Sequence, residues 1–199
     1  MPDAAQKKPD LREACVTEAF RVIEERGVEK LSLREVARRL NVSHQAPYKH
    51  FASRDHILAA VVARCFTEFA AFMRDAPRGP GLNTLAERYL HFAETRPLAY
   101  RLMFNTPLPT PTDHPEMLEE ASAAFALLHK VLGQMGCPSG EAEAKLDALF
   151  LWSTIHGLAS ILQSNAMDTI GLTAEERGAA ALHIMKRLRI ACAQPLEKG

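Results

Sequence analysis

The chain has 199 residues and lacks most of the features that mark enzymes, secreted domains and membrane proteins. Its four cysteines, Cys15, Cys65, Cys137 and Cys192, form neither a CxxC pair nor a metal knuckle. A chain of this size does not need disulfide staples, so the thiols are expected to be reduced. The ten glycines and twelve prolines are too few for a fibrous or linker-dominated protein. Runs of β-branched residues and strand-like alternation are missing, while Ala and Leu are abundant, which favours helix. No long apolar run is expected to cross a bilayer, since the best candidate, Ala148–Leu162, is interrupted by Ser153, Thr154, His156, Gly157 and Ser160. The first ten residues, MPDAAQKKPD, contain no apolar core of a secretory signal, so a cytoplasmic location is expected. No GxSxG, Walker loop, GxGxxG or HExxH motif is found, and no catalytic residue is nominated.

A composition of 47% hydrophobic and 24% charged residues belongs to a folded globular protein. The formal charge is zero, but it is unevenly spread. Residues 1–58 carry a net +2 and the remainder a net −2. Between Lys30 and Arg54, six cations (Lys30, Arg34, Arg38, Arg39, Lys49, Arg54) face the single acid Glu35. Such a stretch suits an anionic partner, although a solvated basic face would look the same.

Helix signals follow one another along the chain. Asp10 is a cap for a helix to Arg26, which Gly27 stops. Ser32 opens a short helix over 32–40, with Glu35 placed to complete a capping box. Asn41 suits a left-handed turn, and Ser43 caps a second short helix over His44–His50. Ser53 caps a long helix over 54–75. After a break at 77–81, helices are expected at 82–95, 97–104, 116–135, 140–165 and 173–192, with a proline-rich loop at 106–115. The fold class is therefore all-α: an N-terminal three-helix bundle with a helix-turn-helix over residues 1–58, then a larger helical domain over 59–199.

The pair of short helices carries the functional signal. Ala37 is small where the two must approach, and Val36, Leu40 and Val42 are apolar where the unit packs on the first helix. The second helix displays His44, Gln45, Tyr48, Lys49 and His50, donors and acceptors suited to the major groove. Ser32 and Ser43 mark helix N-termini, whose backbone N–H groups suit phosphate. The same pattern also describes an ordinary helical hairpin with a solvated basic face.

The stretch LSLREVARRLNVSHQAPYKHFASRDHIL, Leu31–Leu58, resembles the DNA-binding domain of the TetR family of bacterial transcriptional regulators. Its most specific part is Tyr48-Lys49-His50-Phe51, followed by Ser53-Arg54 and Ile57-Leu58. Downstream, Arg96–Phe104 and Trp152–Leu158 resemble the C-terminal domain type named for its Trp, His and Gly. The resemblance implies phosphate contacts from Ser32, Tyr48, Lys49, His50 and Arg54, and base contacts from Arg34, His44 and Gln45. It implies a ligand-responsive repressor that binds a palindromic operator as a homodimer and is released by an inducer. Three departures stand out: Asn41 for the usual turn glycine, Pro47 inside the second helix, and Arg54 for the usual lysine.

In the larger domain, Tyr100, Met103, Phe104, Trp152 and His156 are candidates for a ligand pocket, with Trp152 and His156 one turn apart. The expected effector is an apolar small molecule. Gly157 would let another helix approach closely. Ala148, Leu151, Ile155, Leu158 and Leu162 form one apolar stripe, and Ala181, Leu182, Met185, Leu188 and Cys192 another; both are expected at a dimer interface, with the core of the chain itself as the alternative. No cofactor and no metal are expected. Asp113, His114 and Glu116 in the proline loop have an unspecific spacing for metal ligation, and Cys65 or Cys137 as a thiol sensor lacks an obvious activating neighbour.

Overall fold

The structure is a computed structural model and describes residues 10–75, 82–107, 109–134, 141–164, 169 and 171–193. Those residues form eight α-helices and no strand: α1 Leu11–Arg26, α2 Leu33–Arg39, α3 Arg54–Arg74, α4 Leu82–Thr95, α5 Pro97–Phe104, α6 Pro115–Gln134, α7 Glu141–Leu162 and α8 Ala174–Ala193. The expected break at 77–81 and the thiol of Cys137 lie outside the described residues. The chain divides into two compact units. One holds Met1–Phe66 with Arg101–Glu120; the other holds Thr67–Tyr100 with Ala121–Gly199.

In the first unit, α1 turns Cys15, Val16, Ala19, Val22 and Ile23 inward at helical spacing. The Asp10 carboxylate accepts from the Arg12 amide at 3.0 Å, and Gly27, at φ 83°, ends the helix. Helix α2 buries Leu33, Val36 and Ala37 against α1, with no exposed surface on Val36 or Ala37. Ser32 Oγ accepts from the Glu35 amide at 3.2 Å, forming half of the capping box. The reciprocal half is not made, because the Glu35 carboxylate is taken by arginines.

The exit from α2 is a Schellman turn. The Val42 amide donates to the Ala37 carbonyl at 3.1 Å and the Asn41 amide to that of Arg38 at 3.2 Å. Asn41 sits at φ 52°, the left-handed region that its short polar side chain tolerates. The second short helix departs from expectation. Residues 44–46 form a turn and Pro47–Lys49 a single 3-10 turn, not an α-helix over His44–His50. Pro47 has no N–H to return to the Ser43 carbonyl. That carbonyl instead takes the Ala46 amide at 2.9 Å, and the chain tightens to three-residue bonds. Ser43 contributes its carbonyl here, and the 3-10 turn has no side-chain cap. Buried Pro47 and Phe51 anchor the segment.

Ser53 caps α3 as expected, its Oγ accepting from the Asp55 and His56 amides at 3.2 and 3.4 Å. Arg64 ties α3 back to α1 by a 2.8 Å bond to Thr17 Oγ1. By length and composition α3 could cross a membrane, which the expectation of no such segment missed. Most of its apolar window is buried within the protein, as in a core helix. The proline loop is irregular apart from a 3-10 turn at Pro111–Asp113. Glu116 pairs with Arg12, and the His114 ring meets His56 edge-on at 4.9 Å.

In the second unit, α4, α7 and α8 pack together. Phe69 meets Tyr89 and Phe92 edge-to-face at 5.5 and 5.0 Å, and Gln163 Nε2 donates to the Ala93 carbonyl at 3.0 Å. Leu151, Ile155, Leu158, Met185 and Leu188, expected at a dimer interface, lie in the interior of their own chain. Leu162 is exposed, and the side chains of Ala181 and Cys192 lie outside the described residues. The outward apolar residues of α7 are Leu146, Leu149, Phe150, Ile161 and Leu162, with Leu182 on α8. Gly157 does not admit another helix of this chain: a Cβ there would meet nothing within 4 Å.

The Asn41 turn makes a direct prediction. Asn41→Gly should leave stability nearly unchanged, whereas Asn41→Val should lower it by about 1–2 kcal/mol, because a β-branched residue resists the left-handed conformation. Chemical denaturation of the two variants checks this.

Candidate nucleic-acid interface

The basic stretch between Lys30 and Arg54 separates into two populations. Arg38 grips Glu35 with two bonds, at 2.9 and 2.7 Å. Arg39, only 16% exposed, reaches three carboxylates: Glu35 at 3.0 Å, Glu25 at 2.7 Å and Glu18 at 3.4 Å. Arg26 adds a third guanidinium to Glu35 at 3.1 Å, and Arg21 a second to the buried Glu18 at 3.2 Å. Arg26 to Glu35 and Arg39 to Glu18 and Glu25 join α2 to α1, while Arg38 and Arg21 pair within their own helices. Among the described residues, Lys30, Arg34 and Lys49 enter no ion pair, so their charge is available to a partner.

Hydrogen bonds from Arg38 and Arg39 hold the Glu35 carboxyl at about 2, well below the usual carboxylate value. Arg39 is pushed up by its bonds to Glu25 and Glu35. Glu25 is pulled down, first by its hydrogen bond from Arg39.

Arg34, His44, Gln45 and Tyr48 line one open depression of about 390 Å³. Arg34 comes from the first turn of α2, the other three from the turn after Asn41. The candidate base readers Arg34, His44 and Gln45 are thus brought together, with Tyr48, matched to phosphate contact by resemblance, among them. Ser32, Ser43, Lys49 and His50 are exposed and lie outside its lining. Arg54 is placed differently: its guanidinium donates to the Val28 carbonyl at 2.9 Å and lies 3.5 Å from Asp55, so part of its donor set is used within the protein.

The second unit holds a polar cluster in an aromatic setting. Trp152 Nε1 donates to Tyr89 Oη at 3.3 Å. The hydroxyls of Tyr89 and Tyr100 lie 3.1 and 2.8 Å from His156 Nδ1. Burial pushes both phenols up and His156 down, which favours a neutral imidazole. Of the five candidate ligand residues, Tyr100, Trp152 and His156 meet here. Met103 and Phe104 belong to the first unit, where Phe104 packs on Phe66 at 5.9 Å. Tyr89 was not among the candidates. Its sequence signal is a tyrosine within the inward stripe Leu85, Ala86, Tyr89, Phe92, Ala93, where a hydroxyl needs a partner.

A short helix, a left-handed turn and a tight second turn presenting polar side chains define a helix-turn-helix regulator of transcription. A family profile described as bacterial regulatory proteins, tetR family, matches residues 16–61, and one described as tetracyclin repressor-like, C-terminal domain, matches residues 82–187. The chain belongs to the TetR family of bacterial regulators, whose members control transcription and are not enzymes. It is 26% identical over 163 residues to an uncharacterized HTH-type transcriptional regulator of Mycobacterium tuberculosis, covering 80% of this chain and 73% of the relative. A protein of unknown function from Rhodococcus sp. RHA1 superposes with a TM-score of 0.75 at 25% identity, over 96% of this chain and 100% of that one. The multidrug binding protein EbrR, complexed with imidazole, shares the fold with a TM-score of 0.62 at 19% identity, over 96% of this chain and 98% of its own.

The arginine cluster predicts acid sensitivity with a definite sign. Glu35 titrates lower in the folded chain than in the unfolded one, so its stabilisation is present above about pH 4.5 and is lost as pH falls towards about 2. Glu35→Gln should therefore be less stable than the parent at pH 7, and the gap should close between pH 4.5 and 2. Thermal melts of both proteins across that range check it.

Proposed function

We propose that the protein is a ligand-responsive repressor, which binds a palindromic operator as a homodimer and is released by an apolar small-molecule inducer. The single observation that carries the DNA-reading half is the depression shared by Arg34, His44, Gln45 and Tyr48. Lys49 and His50, exposed beside it, with Ser32 and Ser43, are assigned to the phosphates. Arg54 joins them with the donors that Val28 leaves over. We place the functional division at residues 1–58 for reading DNA and 59–199 for sensing and dimerisation, in the bacterial cytoplasm where the operator lies.

The homodimer reading is supported by the outer face of α7. Leu146, Phe150, Gly157 and Ile161 recur at helical spacing on it, with Leu149 and Leu162 alongside and Leu182 on α8. Such a row of large exposed apolar side chains suits burial against a partner. Gly157, with open space where a Cβ would stand, suits close approach by a second copy. Of the residues first expected there, Leu162 on α7 and Leu182 on α8 are exposed, with Ala181 on the same helix as Leu182, whereas Leu151, Ile155, Leu158, Met185 and Leu188 are buried within the chain.

The sensing half is assigned to the Trp152, His156, Tyr89 and Tyr100 cluster of the second unit, while Met103 and Phe104, in the first unit, keep that assignment from the sequence alone. Trp152, His156 and Gly157 also support the C-terminal type named for those residues. An aromatic wall with a few oriented polar groups suits an apolar, aromatic ligand. A ligand that binds two arrangements of the dimer unequally shifts the spacing of the reading heads, which is the coupling free energy that release requires.

A binding selection from genomic fragments tests this reading. Retained fragments should contain inverted repeats with half-sites about one turn of DNA apart, each bound by two chains. Aromatic apolar compounds should release the complex. Phe150→Glu should give a monomer mass by light scattering and at least about a hundredfold weaker operator binding, since burying a carboxylate at an apolar contact is costly. A wild-type monomer that binds a single half-site would contradict it.

A further inference from the structure

We propose that Tyr48 is a specificity-determining residue that reads the 5-methyl group of thymine, rather than a phosphate contact. The inference rests on the operator-binding reading above and deepens it. Tyr48 follows Gln45 by three residues and His44 by four, across the turn and the 3-10 turn that starts at Pro47. Together with Arg34 they line the same depression. Its immediate neighbours Lys49 and His50 do not line it, although all three are exposed. The geometry thus divides the Tyr48-Lys49-His50 run, placing Tyr48 with the base readers.

The chemistry of the four lining residues makes the assignment more specific. Arg34, His44 and Gln45 each offer directional donors or acceptors. Tyr48 alone offers a broad apolar face, and it is 45% exposed. That exposure leaves much of its surface unused within the chain, so burying it against a partner is favourable. In the major groove, base edges present donors, acceptors and one apolar group, the thymine methyl. An aromatic ring in a depression otherwise built for hydrogen bonds complements that group. Pro47, buried directly before it, and Phe51, buried three residues after it, hold the turn that carries the ring.

The test uses the DNA duplex that the full-length protein selects from a random library at physiological salt. Each thymine of the half-site is replaced in turn by uracil, which removes only the methyl group. At one position the substitution should weaken binding of the wild-type protein about fourfold, the amount expected for one buried methyl-sized group. Tyr48→Phe should show the same fourfold discrimination, because the ring and not the hydroxyl does the reading. Tyr48→Ala should bind thymine and uracil duplexes equally, with the salt dependence of the wild type. Melting curves of both variants verify folding, which a half-exposed residue is expected to leave intact. If no uracil substitution matters to the wild type, the proposal is overturned. It is equally overturned if Tyr48→Phe loses affinity for every duplex with a salt slope lowered by about one, the signature of a phosphate contact. Failure to select any sequence would instead remove the operator reading on which the proposal rests.

Discussion

The reading face depends on the ion cluster centred on Glu35 and Arg39. Three guanidiniums converge on one carboxylate and three carboxylates on one guanidinium, across the junction of α1 and α2. The cluster adds directional bonds to the apolar contact that Leu33, Val36 and Ala37 make with α1. It also neutralises Arg38 and Arg39, which in the bare sequence belong to the basic stretch. Within that stretch, among the described residues, the cations outside any ion pair are Lys30, Arg34 and Lys49, and Arg34 lines the depression shared with the candidate base readers. On the proposed function, a structural ion network thereby decides where nucleic acid can be held.

The second constraint is Pro47. Its missing N–H removes the bond that would close the first turn of an α-helix from Ser43. The three-residue turn that replaces it brings His44, Gln45 and Tyr48 together beside Arg34. A family resemblance supplies the roles of these positions in general. Beyond that tightened turn, Tyr48 lines the depression with the candidate base readers, while Lys49 lies outside its lining. Asn41 performs the remaining local task, turning the chain left-handed after α2.

Much of this was legible in the sequence where the cause is local. Asp10, Ser32 and Ser53 cap because their side-chain oxygens lie within two or three residues of the amides they accept from. Gly27 and Asn41 turn because of their own backbone preferences. What escaped depends on tertiary position. Glu18 and Glu25 lie 21 and 14 residues from Arg39, and nothing in their spacing announces the pairing. The inward face of α7 was confused with its outer face because the helix is apolar on both sides: Ala148, Leu151 and Ile155 are buried, while Leu146, Leu149 and Phe150 are exposed. Tyr89 entered the polar cluster of the second unit only once α4 was packed on α7.

The partition of cations is the central claim, and the salt dependence of operator binding measures it most directly. Log affinity should be determined against log salt for the wild type, Lys49→Ala and Arg38→Ala. Each phosphate contact contributes about 0.9 to the slope. Lys49→Ala should lose about that amount, with weaker binding to every sequence. Arg38→Ala should keep the wild-type slope, since its charge is already spent on Glu35. A slope that falls for Arg38→Ala and stays unchanged for Lys49→Ala would contradict the account.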